Sequence, residues 1–261
     1  MRVIAAGTSD VGRERLHNED RYILLPEFNV FVVADGMGGH QSGEVASRMA
    51  ASTIAGYFRD GTWKRRKASM GDRLRAAVRD ANAKIYARAD DSRAHRGMGT
   101  TVVAAAFGHR EGTFYVAHAG DSRCYLLRGD EMRLLTRDHS LLQDALLERP
   151  DLTESDLAYL PRNVITRALG IGPTVEIDLR AEPAEIGDVF LLCSDGLHGL
   201  VRDEEIARIV HENAVLTEAC TQLIDRANRN GGRDNITAVL VRIEEGVAPW
   251  VRPRSGKPKS R

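Results

Sequence analysis

Acidic residues stand beside apolar runs at several places in this sequence. Four of them follow or precede a run long enough for a buried strand: Asp35, Asp121, Asp195 and Asp234. Two more, Glu19 and Asp20, stand just ahead of a fifth run. A single Asp-Gly pair usually forms a turn, because Asp accepts hydrogen bonds from nearby backbone and Gly adopts positive φ. Six acids gathered at one end of a sheet assembly would repel each other unless a cation neutralised them. The pattern therefore predicts a cation site.

The ligand types indicate which cations would suit this site. Carboxylates, backbone carbonyls and water are hard ligands that bind Mg²⁺, Mn²⁺ or Ca²⁺. A zinc site would use Cys or His at a recognisable spacing, and the sequence has no such pattern. It also lacks the GxxxxGKS/T phosphate loop and the EF-hand calcium loop. A site made of oxygen ligands is favoured over a nucleotide loop or a calcium sensor.

Rigid elements must position these acids. Short apolar runs rich in branched residues predict strands at 3–6, 22–25, 30–34, 101–107, 114–118, 123–127, 132–135, 189–193 and 236–241. The turn Arg128-Gly129-Asp130 indicates an antiparallel hairpin. Helical spacing occurs at 45–58, 74–85, 204–211 and 217–228, and Gly231-Gly232 ends the last of these helices. Strands with helices inserted in pairs predict an α+β fold.

Two segments have a weaker pattern. Short helical pieces at 139–147 and 155–160 are separated by prolines, and we interpret residues 144–175 as a flap. Residues 246–261 contain three prolines, several basic residues and no acid, which predicts a disordered tail. The predicted organisation is one domain over 1–245 followed by this tail.

Composition excludes several functions. Lys+Arg and Asp+Glu both number 37, so no global field attracts nucleic acid or an anionic membrane, and we expect neither as a partner. The three cysteines lie far apart without a CxxC pair, which favours reduced thiols. No signal peptide is recognisable, and no run approaches the roughly 18 apolar residues of a spanning helix. We expect a cytoplasmic monomer.

A series of motifs in a fixed order resembles one family. The motifs are SDVG at 9–12, RxxNED at 15–20, ADGMGGH at 34–40, GDSR at 120–123, DHS at 138–140, NVITRALG at 163–170, SDGL at 194–197 and GxDNIT at 232–237. Together they resemble the PP2C-type (PPM) metal-dependent protein phosphatases in their bacterial form, over nearly the whole chain. The resemblance implies a central β-sandwich of two antiparallel sheets flanked by helix pairs. The four layers would run α-β-β-α, with a metal centre at one end.

The resemblance also implies roles for the acids. Asp35 would bridge two metal ions, joined by the backbone carbonyl of Gly36. Asp195 and Asp234 would complete the first metal site, and Glu19 would hold the second ion chiefly through water. The implied catalytic residues are Asp35, Asp195, Asp234 and Asp20, the last of which would orient a metal-bound water.

Three further residues receive roles in the same way. Asp121, together with Asp195, would bind a third and weaker ion. Arg15 would bind phosphate, because its planar guanidinium can contact two phosphate oxygens at once. Some members carry a histidine directly after the Asp-Gly, where this sequence has Met37. His40 is the candidate general acid instead, and its alternative role, which we favour, is to cap the following helix.

The implied function is hydrolysis of phosphoserine and phosphothreonine by a water that two Mn²⁺ or Mg²⁺ ions activate. The partners would be phosphorylated proteins, among them a bacterial Ser/Thr kinase and its targets. One alternative is a phosphatase dedicated to a single phosphorylated regulator. Another is a regulatory binding module with weak catalysis, for which loss of Asp35, Asp195 or Asp234 would be the sign. All three acids are present.

Overall fold

A computed structural model describes residues 1–38, 42–61, 68–91, 95–157, 160–161 and 164–246. The strands are β1 (Arg2–Asp10), β2 (Asp20–Leu25), β3 (Val30–Met37), β4 (Gly99–Thr100), β5 (Val102–Gly108), β6 (Thr113–Ala119), β7 (Arg123–Arg128), β8 (Glu131–Leu134), β9 (Asp178–Pro183), β10 (Val189–Cys193) and β11 (Ile236–Glu244). The helices are α1 (Ser42–Arg59), α2 (Met70–Asp90), α3 (Leu141–Glu148), α4 (Glu154–Leu157), α5 (Asp195–His198), α6 (Asp203–Glu212) and α7 (Leu216–Arg229).

The strands form two antiparallel sheets. The first sheet has the order β1-β11-β10-β7-β8, and the second has the order β2-β3-β5-β6-β9, with the short β4 paired to β3. Every pairing between these strands is antiparallel. The predicted α+β class and the two antiparallel sheets are confirmed.

Three apolar clusters hold the layers together. One lies between the sheets and includes Phe31 and Phe190. A second lies between the second sheet and the pair α1 and α2, and a third lies between the first sheet and the pair α6 and α7. Burial of apolar surface on both faces of each sheet stabilises the stack. The predicted four-layer α-β-β-α sandwich is therefore confirmed.

Helix α1 buries a different stripe from the one that its largest residues suggest. Val45 and Met49 are only partly buried, whereas Ala46, Ala50 and Ile54 are fully buried against the second sheet. Small side chains allow the helix axis to approach the sheet closely, because little volume separates the two backbones. In α2 the predicted stripe from Leu74 to Ile85 is buried as expected.

Strand β9 was not predicted. Its alternate positions are charged, at Asp178, Arg180 and Glu182, so it contains no apolar run that would indicate a strand. It forms the edge of the second sheet by pairing with β6. Glu182 is buried there, and its carboxylate pairs with Arg133 at 2.7 Å, so an ion pair compensates its desolvation.

Three other expectations concern the cysteines, the tail and the membrane. All three cysteines, Cys124, Cys193 and Cys220, are buried and unbridged, as predicted. The tail lies outside the described residues from position 247 onward. Among the helices that the structure describes, none combines the length and apolarity that crossing a bilayer requires.

Candidate metal centre

Antiparallel pairing brings three of the acids to one end of the first sheet. The last residue of β10, Cys193, pairs both with Ala238 near the start of β11 and with Arg123 at the start of β7. The residues just outside these strand ends therefore meet at a common edge. These residues include Asp121, Asp195 and Asp234.

The second sheet contributes two acids to the same end. Asp20 at the start of β2 lies directly opposite Asp35 near the end of β3. Side chains alternate along a strand, and Phe31 and Val33 point into the cluster between the sheets. Asp35, two residues beyond Val33, points the same way. The acids of both sheets consequently meet in the space between them.

Hydrogen bonds from the opposite sheet orient the Asp20 carboxylate. Its Oδ2 atom accepts hydrogen bonds from the hydroxyls of Ser194 and Thr237, both at 2.7 Å. Ser194 Oγ also accepts a hydrogen bond from the backbone N–H of Thr237, at 3.0 Å. Asp20 is 1% exposed. Two buried hydroxyls thus fix one carboxylate oxygen and leave the other, Oδ1, without a hydrogen-bond donor.

Backbone contacts fix Asp35 and Gly36. The Asp35 carbonyl accepts hydrogen bonds from Thr101 N and Thr100 Oγ1, both at 2.8 Å. Gly36 N donates to the carbonyl of Glu19 at 3.2 Å. A Cβ atom at Gly36 would overlap the carbonyl of Gly43, at the start of α1. Only glycine allows β3 and α1 to approach this closely.

Asn235 connects the loop before β2 to the start of β11. Its side chain accepts a hydrogen bond from Glu19 N at 2.7 Å and donates to the carbonyls of Val11 and His17, both at 2.9 Å. It is 5% exposed. One amide side chain therefore satisfies three backbone groups and sets the position of the loop that carries Arg15 and Glu19.

Replacing Asn235 by alanine should lower the free energy of unfolding by about 3 kcal/mol, because three backbone groups lose the buried amide that satisfies them. Urea unfolding of metal-free protein measures this. Asn213→Ala is the matched control, since within the described part of the chain its amide bonds to Ile209 and Gln222, beside α6. That variant should lose about 1 kcal/mol or less. Equal losses in the two variants would contradict the assignment.

The gathered carboxyls have raised pKa values. Burial raises the pKa of Asp20 to about 7, against the opposing hydrogen bonds from Thr237 and Ser194. Burial, and then the charge of Asp195, raise the pKa of Asp121 to about 7. Burial, and then Asp20 and Asp195, raise the pKa of Asp35 well above its ordinary value. Burial, and then Asp234, raise the pKa of Asp195. Ionised carboxylates are thus strongly disfavoured here without a compensating cation.

This arrangement makes stability depend on pH in a specific direction. Asp20 ionises near pH 4 in an unfolded chain and near pH 7 in the folded one. Between these values the folded state binds more protons, so the free energy of unfolding falls as pH rises. In EDTA, Asp20→Asn should raise Tm little at pH 4 and by roughly 5 °C at pH 7.5.

Scanning fluorimetry of wild type and Asp20→Asn across this pH range measures the difference. Buried histidines also titrate in this range, but they contribute equally to both proteins and cancel. A Tm difference that stays flat or shrinks as pH rises would contradict the raised pKa of Asp20.

The donor set suits a hard divalent cation. The buried Oδ1 atoms of Asp20, Asp121 and Asp195 have no hydrogen-bond partner within the described part of the chain. Buried carboxylate oxygens without donors are costly unless a cation coordinates them. The ligands that the gathered acids supply are carboxylate oxygens, which favours Mg²⁺ or Mn²⁺ over zinc. The residues present therefore fit such an ion.

Arg15 lies at the solvent side of this cluster. Its Nη2 atom forms a salt bridge of 2.7 Å with Asp234 Oδ2. The side chain of Arg15 is 52% exposed, and that of Asp234 is 36% exposed. A guanidinium in this position can reach an incoming anion while remaining next to the acids.

The other predicted residue, His40, lies outside the described residues. His118 and His139 are buried with stacked rings, whose centroids are 4.8 Å apart with 8° between the ring planes. Although Asp178 completes a compact group with them, parallel rings cannot both direct nitrogen lone pairs at one ion. His139 Nδ1 accepts a hydrogen bond from Gly120 N at 3.1 Å. The pair therefore supports the backbone beside Asp121.

Arg167 lies near the end of the flap. Its guanidinium pairs with Asp178 and Glu176, both at 3.1 Å. These ion pairs tie the flap to β9.

The residues that orient the acids were not assigned roles from sequence. Ser194, Thr237 and Asn235 lie within recognised motifs, but their functions depend on partners more than 40 residues away. The only available signal was their position next to Asp195 and Asp234.

Comparisons with known proteins agree with this geometry. A family model described as Protein phosphatase 2C matches residues 7–241. The serine/threonine phosphatase stp of Listeria innocua is 38% identical over 237 residues, covering 89% of this chain and 93% of the relative. The protein phosphatase PhpP of Streptococcus pneumoniae is 35% identical over 241 residues, covering 91% of this chain and 96% of the relative.

Solved structures show the same similarity. The serine/threonine phosphatase PstP of Mycobacterium tuberculosis superposes with a TM-score of 0.82 at 34% identity, covering 94% of this chain and all of that one. The catalytic domain of PstP in complex with two manganese ions has a TM-score of 0.79 at 34% identity, covering 93% and 99% of the two chains. A family match over most of the sequence, joined to this fold and acid cluster, shows that the chain belongs to the protein phosphatase 2C family.

Proposed function

We propose that this metal-dependent serine/threonine phosphatase holds two Mn²⁺ or Mg²⁺ ions in its acid cluster and hydrolyses phosphoserine and phosphothreonine in proteins. The observation that carries the proposal is the set of buried carboxylate oxygens without donors, contributed by both sheets to one end of the sandwich. Burying such a set of carboxylates costs free energy when no cation is bound, and the same oxygens are suitable ligands when a hard divalent cation is bound.

Each acid has a proposed role. Asp35 and the Gly36 carbonyl would be shared between the two ions. Asp195 and Asp234 would complete the first site, and Glu19 would hold the second ion through water. Asp121 would bind a third, weaker ion together with Asp195.

Bound ions of this kind lower the pKa of a coordinated water and stabilise charge on a transferring phosphoryl group. Asp20 has one oxygen fixed by two hydroxyls, so its free Oδ1 can accept a proton from an attacking water in a constant direction. Arg15, at the exposed side, binds the phosphate oxygens and holds the phosphorus near the acids. His40 stays a prediction for protonating the leaving oxygen.

The context of the reaction is also proposed. The substrates would be phosphoproteins, including a bacterial Ser/Thr kinase and its targets, met by a cytoplasmic monomer. Residues 1–245 would form the phosphatase domain, with residues 144–175 acting as the flap.

Phosphate release from a phosphothreonine peptide tests the function directly. We expect release with Mn²⁺, none with EDTA, and little from the matched phosphotyrosine peptide. Folded protein that binds Mn²⁺ by calorimetry but releases no phosphate would favour the regulatory binding module. Folded protein without Mn²⁺ binding would contradict the proposed metal centre itself.

A further inference from the structure

Leu16 is unusually exposed for a large apolar residue. Its exposed fraction is 91%, the highest for such a side chain among the residues that the structure describes. It directly follows Arg15, the residue proposed to bind phosphate. Single apolar residues on a surface are common and need no explanation by themselves. Two further features distinguish Leu16: its loop is anchored, and two more apolar side chains, those of Met37 and Ile171, lie near the end of β3, the strand that contains Asp35.

Hydrogen bonds anchor the loop on both sides of Leu16. Arg13 N donates to the carbonyl of Gly232 at 2.6 Å. After Leu16, the carbonyl of His17 accepts a hydrogen bond from Asn235 at 2.9 Å, and Arg15 itself is paired with Asp234. Leu16 is thus held at a constant position relative to the acid cluster. Binding of a ligand to Leu16 therefore costs little conformational entropy of the protein, because the loop is already ordered.

A second apolar surface lies next to the metal-binding strand. Met37 follows Gly36 in β3, and its Cε atom lies 2.9 Å from the position that a Cβ atom on Gly99 would occupy. The Cδ1 atom of Ile171, in the flap, lies 2.9 Å from the same point. Ile171 is 56% exposed. Apolar side chains therefore accompany the acids at the strand end and in the phosphate-binding loop.

The spacing relates Leu16 to a bound substrate. Neighbouring Cα atoms are about 3.8 Å apart, and an extended peptide advances about 3.3 Å per residue. The residues that flank a phosphorylated residue held by Arg15 are therefore the part of the substrate that we expect to meet Leu16. If the substrate residue next to the phosphorylated one is apolar, its contact with Leu16 removes both side chains from water, which is favourable. If that residue is polar, the same contact removes its hydration, which costs free energy.

We infer that Leu16 selects substrates in which an apolar residue directly flanks the phosphorylated serine or threonine. The inference rests on the proposed function and names the substrate class of the same site. Leu16 contributes to substrate binding, so its substitution should change KM rather than kcat. Ile171 offers a second apolar contact on the flap side.

Two phosphothreonine peptides that differ only in having leucine or serine on both sides of the phosphothreonine test this. With Mn²⁺, wild type should show kcat/KM about 10-fold higher for the leucine peptide. In Leu16→Ser this ratio should fall to about 2, chiefly through KM, and Leu16→Met should restore most of it. Because each variant is compared with itself on two peptides, a general loss of activity does not affect the ratio.

Ile186→Ser is the matched control. Ile186 is 58% exposed and lies between β9 and β10, at the opposite end of β10 from Asp195. The ratio of the kcat/KM values for the two peptides in Ile186→Ser should equal the wild-type ratio. A wild-type ratio near one, or an unchanged ratio in Leu16→Ser, overturns the inference.

Fluorescence polarisation of the same labelled peptides separates this inference from the function. Phosphate release without a peptide preference overturns only the inference. Tighter binding of the leucine peptide that depends on Leu16, without any phosphate release in Mn²⁺, supports the inference and overturns the proposed function.

Discussion

Asp35→Ala is expected to lower kcat/KM for a phosphothreonine peptide by about 10³-fold or more, because Asp35 is the residue proposed to hold both metal ions. The sandwich should remain folded. Burial, and then the charges of Asp20 and Asp195, raise the pKa of Asp35, so its removal relieves both desolvation and repulsion in metal-free protein. Activity in Mn²⁺, Mn²⁺ calorimetry and a melting curve in EDTA measure the three consequences.

Asp225→Ala is the matched control for this experiment. Asp225 is an exposed aspartate on α7, and alanine suits a helix. Its variant should keep wild-type kcat/KM, Mn²⁺ affinity and Tm. An Asp35→Ala protein that is folded and retains activity would falsify the assignment of Asp35. A variant that melts well below wild type in EDTA would show instead that Asp35 stabilises the fold.

Arg15→Ala is expected to raise KM by about 30-fold, because a charged hydrogen-bonding partner of the phosphate is lost. The value of kcat should change less, since the acids remain in place. Mn²⁺ affinity should stay equal or increase, because Asp234 loses its 2.7 Å salt bridge and becomes free to coordinate. Steady-state kinetics and calorimetry together separate these effects.

Two variants serve as controls for Arg15. Arg13→Ala removes an exposed arginine two positions earlier in the same loop and should leave KM near the wild-type value. Arg15→Lys keeps the charge but loses the planar fork, so its KM should lie between those of wild type and Arg15→Ala. A large loss of Mn²⁺ affinity in Arg15→Ala would show that Arg15 supports the metal site rather than the phosphate.

The four-layer architecture explains why both predictions concern the same small region. Both faces of each sheet are covered by apolar clusters, so a charged group is tolerated only where the layers end. The acids lie at that boundary, with Asp35 near the end of β3 and Asp195 just after β10. There the enclosure is sufficient to raise their pKa values, while Arg15 and Asp234 remain partly exposed.

Two elements, β9 and α1, have a pattern of apolar residues that does not indicate how they pack against the rest of the protein. Strand β9 has charged residues at alternate positions because it is an edge strand whose charges form ion pairs. Many residues of the buried stripe of α1 are alanines. Their small side chains favour burial because the sheet packs closely against this face of the helix. Strand β9 has no apolar period that the sequence could reveal, and the period recognised in α1 did not indicate which of its residues are buried.

The sequence by itself determined the class of the fold, the family resemblance and the types of the ligands. The order of residues along the chain is sufficient for these three properties. An acid that follows an apolar run lies at the end of a strand, whichever strands become its neighbours. It also determined that the gathered donors are oxygen atoms, since no Cys or His stands at the spacing of a zinc site.

Only the tertiary structure decided how these groups act together. The hydrogen bond from Thr237 to Asp20 joins residues 217 positions apart, and the salt bridge from Arg15 to Asp234 spans a similar separation. Burial and mutual repulsion of the acids, and hence their raised pKa values, exist only when two sheets enclose them. These properties depend on which strands become neighbours, which is set by the packing of the whole chain rather than by any local segment.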